Sequence, residues 1–252
     1  PVYALPQRKG KKFFFIRDVE QWADYHELQI KMFELKMNRI VVNDWIKGYL
    51  YSELGLSTAL VARNGFNFEY FKIPDKIKKP KRPVIAMIYS DHPMKDCKTG
   101  IEVLSKIKKV NPEIEVILFG TKRPATDFDF TFFRAPQGSA VLDIYRRANI
   151  FLCPSIQEGF HNPPSEALAN RCGVVATNCG SVPVTMTHNH NGFVHKPGDV
   201  DGMVESVRKL FDEDLRARLG DNGFNSIQRL TWDQTIMDLD HLFRSAVCRK
   251  NL

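Results

Sequence analysis

The chain has 252 residues and a formal net charge of +7, from 36 lysines and arginines against 29 aspartates and glutamates. Hydrophobic residues make up 43% and charged residues 26%, the balance of a soluble globular protein with a sizeable core. No apolar run is long enough to span a bilayer and no signal peptide is visible, so the sequence predicts no membrane-spanning helix.

The positive charge is compatible with an anionic membrane surface, a nucleic acid or a phosphorylated substrate. The densest basic run, 75–82 (DKIKKPKR), is typical of a solvated linker. No basic segment interleaved with aromatic residues supports a nucleic-acid partner, so none is predicted. The cysteines form no C-x-x-C pair, which indicates reduced thiols in a cytoplasmic protein. The net positive charge is also compatible with a peripheral contact at the inner face of the membrane.

The chain has five cysteines: Cys97, Cys153, Cys172, Cys179 and Cys248.

The first 74 residues alternate between strand and helix patterns. Strands are predicted at 12–17, 38–42 and 60–62, and helices at 18–37 and from Asn43 to about Leu54. This is α/β organisation, with too few strands to close a complete Rossmann-type domain. The basic linker 75–82 follows.

A second α/β series begins at Pro83. Its alternation over 83–211 predicts one doubly wound domain, and the continuous hydrophobicity of strands such as 113–120 predicts a sheet buried on both faces. The predicted strands are 83–89, 113–120, 131–133, 150–153, 174–177 and 192–195. The predicted helices are 98–109, 139–148, Pro163 to near Gly173, 199–211, 212–230 and 232–247.

The stretch from Ile150 to Gly180 carries the predicted chemistry. A buried strand ends at Pro154, and a helix is expected to begin at Pro163 with Asn162 as its N-cap. The loop between them lies at the carboxyl edge of a parallel sheet, the usual ligand position in open α/β folds. Unpaired N–H groups over 159–165 favour an anion such as phosphate at the helix start.

Two carboxylates, Glu158 and Glu166, frame this loop. A carboxylate repels phosphate, so neither is expected to touch one. Both accept hydrogen bonds, however, and a ribose and a sugar on the two sides of a diphosphate would satisfy them.

The segment S-x-x-E-G-F-x-x-P-P-x-E-A, residues 155–167, resembles the signature of the retaining, nucleotide-sugar-dependent glycosyltransferases of family 4 (glycosyl transferases group 1), which have the GT-B fold. The resemblance implies an α/β protein of GT-B type, with a complete C-terminal Rossmann-like doubly wound parallel sheet and the last part of an N-terminal α/β domain. The implied domains are 1–74 on the acceptor side, the linker 75–82, the nucleotide-sugar-binding domain 83–230, and a terminal helix 231–252 that crosses back to the N-terminal domain. The matching positions are Pro154, Ser155, Glu158, Gly159, Phe160, Pro163, Pro164, Glu166, Ala167 and Gly173.

The family's reaction moves a sugar from a nucleotide diphosphate sugar to a glycan or lipid-linked acceptor with retention of configuration, and needs no cofactor or metal. By resemblance, Glu158 is the catalytic residue at the transferred sugar and Glu166 contacts the nucleotide ribose. Alignment of the helix that follows Cys97 places Lys95 on the family's phosphate-binding lysine, with Lys98 as the substitute if the alignment slips. The implied donor-binding set is Lys95, Gly159, Phe160, His161, Asn162 and Glu166.

Two positions depart from the family pattern. No arginine stands between Pro83 and Lys95, where the family usually has one, so the anion site is one cation short. His161 replaces the common glycine. This histidine either narrows the loop or adds a donor toward the sugar, or it is a partly exposed loop residue without a role.

Other functions are less well supported by the sequence. Asp127-Phe128-Asp129 matches a metal-binding D-x-D, and His188 with His190 supplies only two ligands of a zinc site. The absence of G-x-G-x-x-G, P-loop and G-x-S-x-G motifs argues against dehydrogenases, kinases and hydrolases. The alternatives left open are a non-catalytic nucleotide-sugar-binding fragment or partner subunit, and a general anion- or nucleic-acid-binding module that rests on charge alone.

Overall fold

The computed structural model describes residues 10–20, 24–57, 59–71 and 79–248. Its contacts divide the chain into two compact units. The first takes the chain up to Asn67 together with the chain from Arg229 onward, and the second is Phe68–Gln228. Of the predicted basic linker, 75–78 lies outside the described residues.

The first unit contains a parallel sheet in the order β1-β2-β3. Ile40 of the central strand lies opposite Phe15 on one side and Leu60 on the other. Asn43 caps α2 by accepting a hydrogen bond from the backbone N–H of Trp45 at 3.3 Å, as the sequence predicts. The elements are β1 (Phe13–Ile16), α1 (His26–Phe33), β2 (Asn38–Val41), α2 (Asp44–Ser52) and β3 (Ala59–Val61).

The helix predicted over 18–37 is wrong in length, because α1 occupies only His26–Phe33. Before it, the backbone N–H of Glu20 donates to Oε1 of Gln29 (2.9 Å) rather than to a helical carbonyl; 21–23 lies outside the described residues. After it, the buried Arg39 guanidinium donates hydrogen bonds to the carbonyl oxygens of Phe33 (2.5 Å) and Leu35 (3.1 Å). Tertiary hydrogen bonds therefore limit the helix at both ends.

The last helix, α10 (Trp232–Cys248), belongs to the same unit. The backbone N–H of Phe66 donates to the carbonyl of Leu230 (2.7 Å), and the Thr235 hydroxyl donates to the carbonyl of Arg63 (2.8 Å). A Cβ at Gly65 would lie 2.5 Å from the backbone nitrogen of Trp232, so only glycine allows this close approach.

The second unit is a doubly wound α/β domain. Its described strands form one parallel sheet in the order β6-β5-β4-β7-β8-β9, so the direction of winding reverses between β4 and β7. Ligands of open α/β sheets bind at the carboxyl edge where this reversal occurs. The strands are β4 (Val84–Ile88), β5 (Glu115–Gly120), β6 (Thr131–Arg134), β7 (Ile150–Cys153), β8 (Gly173–Thr177) and β9 (Phe193–His195). The helices are α3 (Phe68–Phe71), α4 (Cys97–Val110), α5 (Ser139–Arg147), α6 (Asn162–Ala169), α7 (Val182–Thr185), α8 (Val200–Lys209) and α9 (Glu213–Ile227).

The six-stranded sheet is buried on both faces, which explains the continuous apolar runs of its strands. Ala86 of β4 packs in a cluster with residues of α5 and α6, whereas its neighbours Ile85 and Met87 pack in a second cluster with α4 and α8. All four residues of β7 are buried. Among the described residues, no helix has the length and apolar character that crossing a bilayer requires.

The helix α6 ends earlier than predicted, at Ala169 rather than near Gly173. The N–H of Cys172 donates to the carbonyl of Ala167 (3.0 Å) and the N–H of Arg171 to that of Leu168 (2.9 Å). This is a Schellman cap, with Arg171 in the left-handed conformation (φ 54°) that glycine usually supplies. Because the capping residue is an arginine, the sequence gives no sign of the helix end.

Candidate functional site

Glu158 lies at the centre of the loop between β7 and α6, and its side chain is only 13% exposed. Its Oε1 accepts hydrogen bonds from the Lys95 ammonium at 2.6 Å and from the Ser155 hydroxyl at 2.8 Å. A carboxylate with these two donors on one oxygen is held in a single orientation.

Lys95 ends a short 3-10 turn, Pro93–Lys95, after β4, the strand beside β7. The two loops are tied together, because the N–H of Ile156 donates to the carbonyl of Met94 at 2.7 Å. Burial opposes the charge on Lys95, but the attraction and the hydrogen bond of Glu158 outweigh it, so the pKa of Lys95 is raised. The structure thus places a charged lysine beside Glu158.

Lys98, the substitute cation, lies in the first turn of α4 and is exposed. It lines a cavity of about 420 Å³ together with Tyr89, Asp91 and Pro124. Of the two lysines, Lys95 is the one that the structure brings to Glu158.

His161 is not a partly exposed loop residue, because it is only 4% exposed. Its Nε2 lies 3.0 Å from Sγ of Cys153 and 3.5 Å from Oε1 of Glu158, and its Nδ1 lies 3.6 Å from Sγ of Cys179. Burial lowers the pKa of His161 to about 4, so the imidazole is neutral at pH 7. The buried ring therefore packs the end of the loop against β7 and the segment after β8.

The predicted N-cap of α6 is also wrong: His161 occupies that position and Asn162 is the first helical residue. His161 has a left-handed backbone (φ 71°) and makes no side-chain cap. Glycine adopts this left-handed conformation at the lowest cost, so a histidine at this position has an unfavourable backbone conformation. Pro163 and Pro164 follow in the first turn and carry no N–H, so few amides face outward at this helix start.

Glu166 lies one turn into α6, and its Oε2 accepts a hydrogen bond from the Tyr145 hydroxyl at 2.8 Å. Burial raises the pKa of Glu166, while this hydrogen bond acts in the opposite direction. Among the described residues, Tyr145 is the one hydrogen-bond partner of this carboxylate.

The remaining predicted donor-binding residues follow one another in the same loop. Asn162 is exposed, whereas Gly159 and Phe160 are buried, so Phe160 has only its backbone to offer a ligand. Gly180, in the loop after β8, has φ 56° and packs under this segment, where a Cβ would lie 2.5 Å from that of His161. The site is therefore built on loops after three adjacent strands.

Sequence reasoning missed three supporting residues: Tyr145, Gly180 and the hydroxyl of Ser155 as a partner of Glu158. Ser155 had a detectable signal, since it is polar, follows a buried strand directly and precedes Glu158 by three positions. Tyr145 occupies a buried position in an amphipathic helix, where an aromatic residue indicates only core packing.

The two metal-binding alternatives find no support in the described part of the chain, where no three His, Cys, Asp or Glu side chains are grouped to hold an ion. Oδ2 of Asp127 accepts from the Ser105 hydroxyl at 2.8 Å, and Nδ1 of His188 lies 2.9 Å from the carbonyl of Val194. Four cysteines are buried free thiols, and the Cys248 side chain lies outside the described part. The four are Cys97, Cys153, Cys172 and Cys179.

A family profile described as "Glycosyl transferases group 1" matches residues 69–226. The chain belongs to this family. The matched range contains Lys95, Glu158, His161, Glu166 and Tyr145, and it nearly coincides with the unit Phe68–Gln228.

Curated relatives of this group 1 chain are longer than the chain itself. The capsular polysaccharide biosynthesis glycosyltransferase CapM of Staphylococcus aureus is 25% identical over 91% of this chain and 64% of its own length. The D-inositol 3-phosphate glycosyltransferase of Corynebacterium glutamicum (strain R) is 25% identical over 45% of this chain and 28% of its own length. The chain thus spans less than two thirds of either relative.

Solved structures share the fold at low sequence identity. TarM superposes with a TM-score of 0.83 at 14% identity, over 96% of this chain and 52% of its own. Anabaena Alr3699/HepE, solved with UDP-glucose, gives 0.79 at 14% identity, over 94% and 73%. The C-terminal domain of the group 1 protein LpcC from Francisella tularensis gives 0.56 at 22% identity, over 66% and 97%. The predicted fold class, α/β of GT-B type, is confirmed.

Proposed function

We propose that this chain forms the nucleotide-sugar-binding part of a glycosyltransferase that moves a sugar from a nucleotide diphosphate sugar to a glycan or lipid-linked acceptor, with retention of anomeric configuration. The proposal rests chiefly on the 2.6 Å ion pair between Lys95 and Glu158, at the switch point of the sheet. It joins the cation expected at the diphosphate to the carboxylate expected at the sugar.

The two side chains have complementary roles in this reaction. The bond between the anomeric carbon and the β-phosphate oxygen breaks, and the diphosphate departs with the electron pair. The acceptor oxygen forms the new bond to that carbon, and its proton passes to the departing β-phosphate oxygen. Lys95 has three N–H donors, so it can hold Glu158 with one and phosphate oxygens with the others. Its charge and the start of α6 would stabilise the departing anion.

Glu158 and Glu166 would accept hydrogen bonds from hydroxyl groups at the two ends of the donor. Glu158 lies beside Lys95 and would take the transferred sugar, whereas Glu166, one turn into α6, would take the ribose. The backbone N–H groups of Gly159 to Asn162 would face the diphosphate, whereas Pro163 and Pro164 carry no N–H. The positive charge comes from Lys95 and the helix start, so the proposed reaction uses no metal.

The comparisons suggest where to look for the substrates. HepE was solved with UDP-glucose, so UDP is the first nucleotide to test. CapM is named for capsular polysaccharide biosynthesis, which supports a growing glycan as the acceptor class. If the acceptor is lipid-linked, the net charge of +7 would favour peripheral contact with an anionic membrane.

We predict that Glu166→Ala weakens nucleotide binding at least about tenfold, since a hydrogen bond to a charged group contributes roughly 1.5–3 kcal/mol. Isothermal titration calorimetry with UDP, GDP and dTDP measures the affinity. The control is Glu102→Ala, because Glu102 is an exposed residue of α4 that pairs only with Lys106, at 3.5 Å, among the described residues.

Equal affinities of the Glu166 and Glu102 variants would refute the ribose assignment. If wild-type protein binds none of the three nucleotides, the proposed function itself is wrong. Retention is tested separately, by proton NMR of the anomeric configuration in the glycan product.

A further inference from the structure

Tyr145 on α5 is fully buried beneath the candidate site. Its ring packs against Phe151 (centroids 5.3 Å apart) and, edge to face, against Phe119 (6.1 Å). Its carbonyl accepts hydrogen bonds from the ammonium of Lys79 (2.8 Å) and from Sγ of Cys172 (3.4 Å). Ring and backbone are both fixed, so the hydroxyl has a defined position.

That hydroxyl donates a hydrogen bond to one carboxylate oxygen of Glu166 and makes none to the other oxygen. The bond is to Oε2, at 2.8 Å, and among the described residues no other group bonds to the Glu166 carboxylate. Glu166 is partly exposed, so Oε1 can accept a hydrogen bond from outside the protein.

We propose that Tyr145 is a positioning residue, which binds Oε2 of Glu166 and so turns Oε1 toward the ribose hydroxyls of the nucleotide. The ribose part of this inference rests on the proposed function. Tyr145 itself touches no substrate and acts through Glu166.

Charge near the pair supports the same conclusion. Burial favours protonation of Glu166 and raises its pKa, and the Tyr145 hydrogen bond counteracts that rise. Among the described residues packed around α6, Tyr145 is the one titratable group that acts on Glu166. Cys153 and Cys172 face the tyrosine, and both are neutral thiols because burial raises their pKa.

The test is Tyr145→Phe, which keeps the ring and removes the hydroxyl. Without that donor the pKa of Glu166 rises further, which a carbon-13 NMR titration of the glutamate carboxyl groups measures, with the signal assigned through Glu166→Gln. We expect about a five- to tenfold loss of affinity for the nucleotide that binds wild type best among UDP, GDP and dTDP. We also expect the pH below which binding is lost to move upward.

A matched control is Ser52→Ala. The Ser52 hydroxyl also bonds to a carboxylate, Oε1 of Glu53 at 3.1 Å, but this exposed pair belongs to the first unit and lies outside the range that the family profile matches. The control should leave both the Glu166 titration and nucleotide affinity unchanged.

An unmoved Glu166 titration in Tyr145→Phe overturns the proposal, even if affinity falls equally at every pH, because that pattern indicates packing alone. If the titration moves but wild type binds no nucleotide, the positioning of the charge stands and the ribose role fails with the proposed function. Should Tyr145→Phe not fold, Glu166→Gln carries the test. Its nucleotide affinity should lack the low-pH fall that we expect of wild type, and a fall of the same size in both proteins would refute the proposal, which requires an ionised Glu166.

Discussion

A neutral imidazole lies under the loop between β7 and α6. His161 is enclosed by Cys153, Cys179 and Glu158, and burial holds the pKa of its ring at about 4. In the unfolded chain the same ring has a pKa of about 6.5. This residue therefore links the stability of the donor loop to pH.

We predict that His161 makes the protein less stable in acid. Above about pH 6.5 neither state binds the proton, so the stability is complete. As the pH falls toward about 4, the unfolded state takes up a proton that the folded state refuses, and the free energy of unfolding drops by about 3 kcal/mol. Urea denaturation across this range measures the loss. His161→Asn, which does not titrate and tolerates a left-handed backbone, should lack this part of it.

The control is His190→Asn, since His190 is exposed. It should keep the pH dependence of wild type. If His161→Asn shows the same acid loss as wild type, the pKa of the imidazole is not depressed in the folded protein.

The sequence revealed residues whose side chains carry charge in a recognisable motif, and not those that support them. Lys95 and Glu158 could be singled out because they stand at positions of a motif that resembles the family's, and the structure pairs them across 63 positions. Tyr145 and Gly180 could not, because their roles depend on which segments the fold brings above them.

The loops after β7 and β8 form one packed layer at the element scale. Gly180 in the second loop meets His161, Phe160 and Glu158 of the first, and its φ of 56° lies in the left-handed region. Any side chain there would push against the loop that holds the candidate catalytic carboxylate.

We predict that Gly180→Ala destabilises the protein more than Gly198→Ala. Both glycines are left-handed (φ 56° and 78°), so both substitutions carry a similar backbone cost of about 1 kcal/mol. At Gly198 an added Cβ meets nothing within 4 Å, whereas at Gly180 it meets His161 at 2.5 Å. Crowding should add about 1–3 kcal/mol to the loss at Gly180, measured by chemical denaturation. Equal decreases in the free energy of unfolding for the two variants would show that the loop around His161 can move to accommodate the added methyl group.

Runs of apolar residues predicted the strands of both sheets to within a few residues. The inner strands β7 and β8 are buried along their whole length, whereas β1 and β6 are only partly buried. The hydrophobic pattern failed to predict helix ends that are determined by distant groups. Arg39 takes the carbonyls that would have extended α1, and the left-handed His161 moves the cap of α6. The short helices Phe68–Phe71 and Val182–Thr185, and the 3-10 turn before α4, are too brief to show a period.

For the whole molecule, the unit Phe68–Gln228 has its own two-sided core and contains every candidate site residue. The family profile ends within two residues of it at each side. The hydrophobic pattern of the sequence could not reveal that the chain divides into these two units. Such a pattern shows that one face of an element is buried, but not which distant segment covers that face.

We predict that residues 68–228 expressed alone fold cooperatively and bind nucleotide within about threefold of the affinity of the whole chain. Thermal unfolding followed by circular dichroism and calorimetry with the nucleotide are the measurements. The same fragment with Glu166→Ala is the binding control. A fragment without a cooperative transition would show that the unit needs the rest of the chain.

The hydrogen bond from Thr235 to the carbonyl of Arg63 spans 172 residues, and it has a consequence for synthesis. Translation passes from β3 through the whole six-stranded domain before it reaches α10. The segment that follows β3 must therefore wait for this hydrogen bond until the six-stranded domain has been made. A nascent chain stalled after residue 228 would carry the finished six-stranded domain together with a first sheet whose unit still lacks α10.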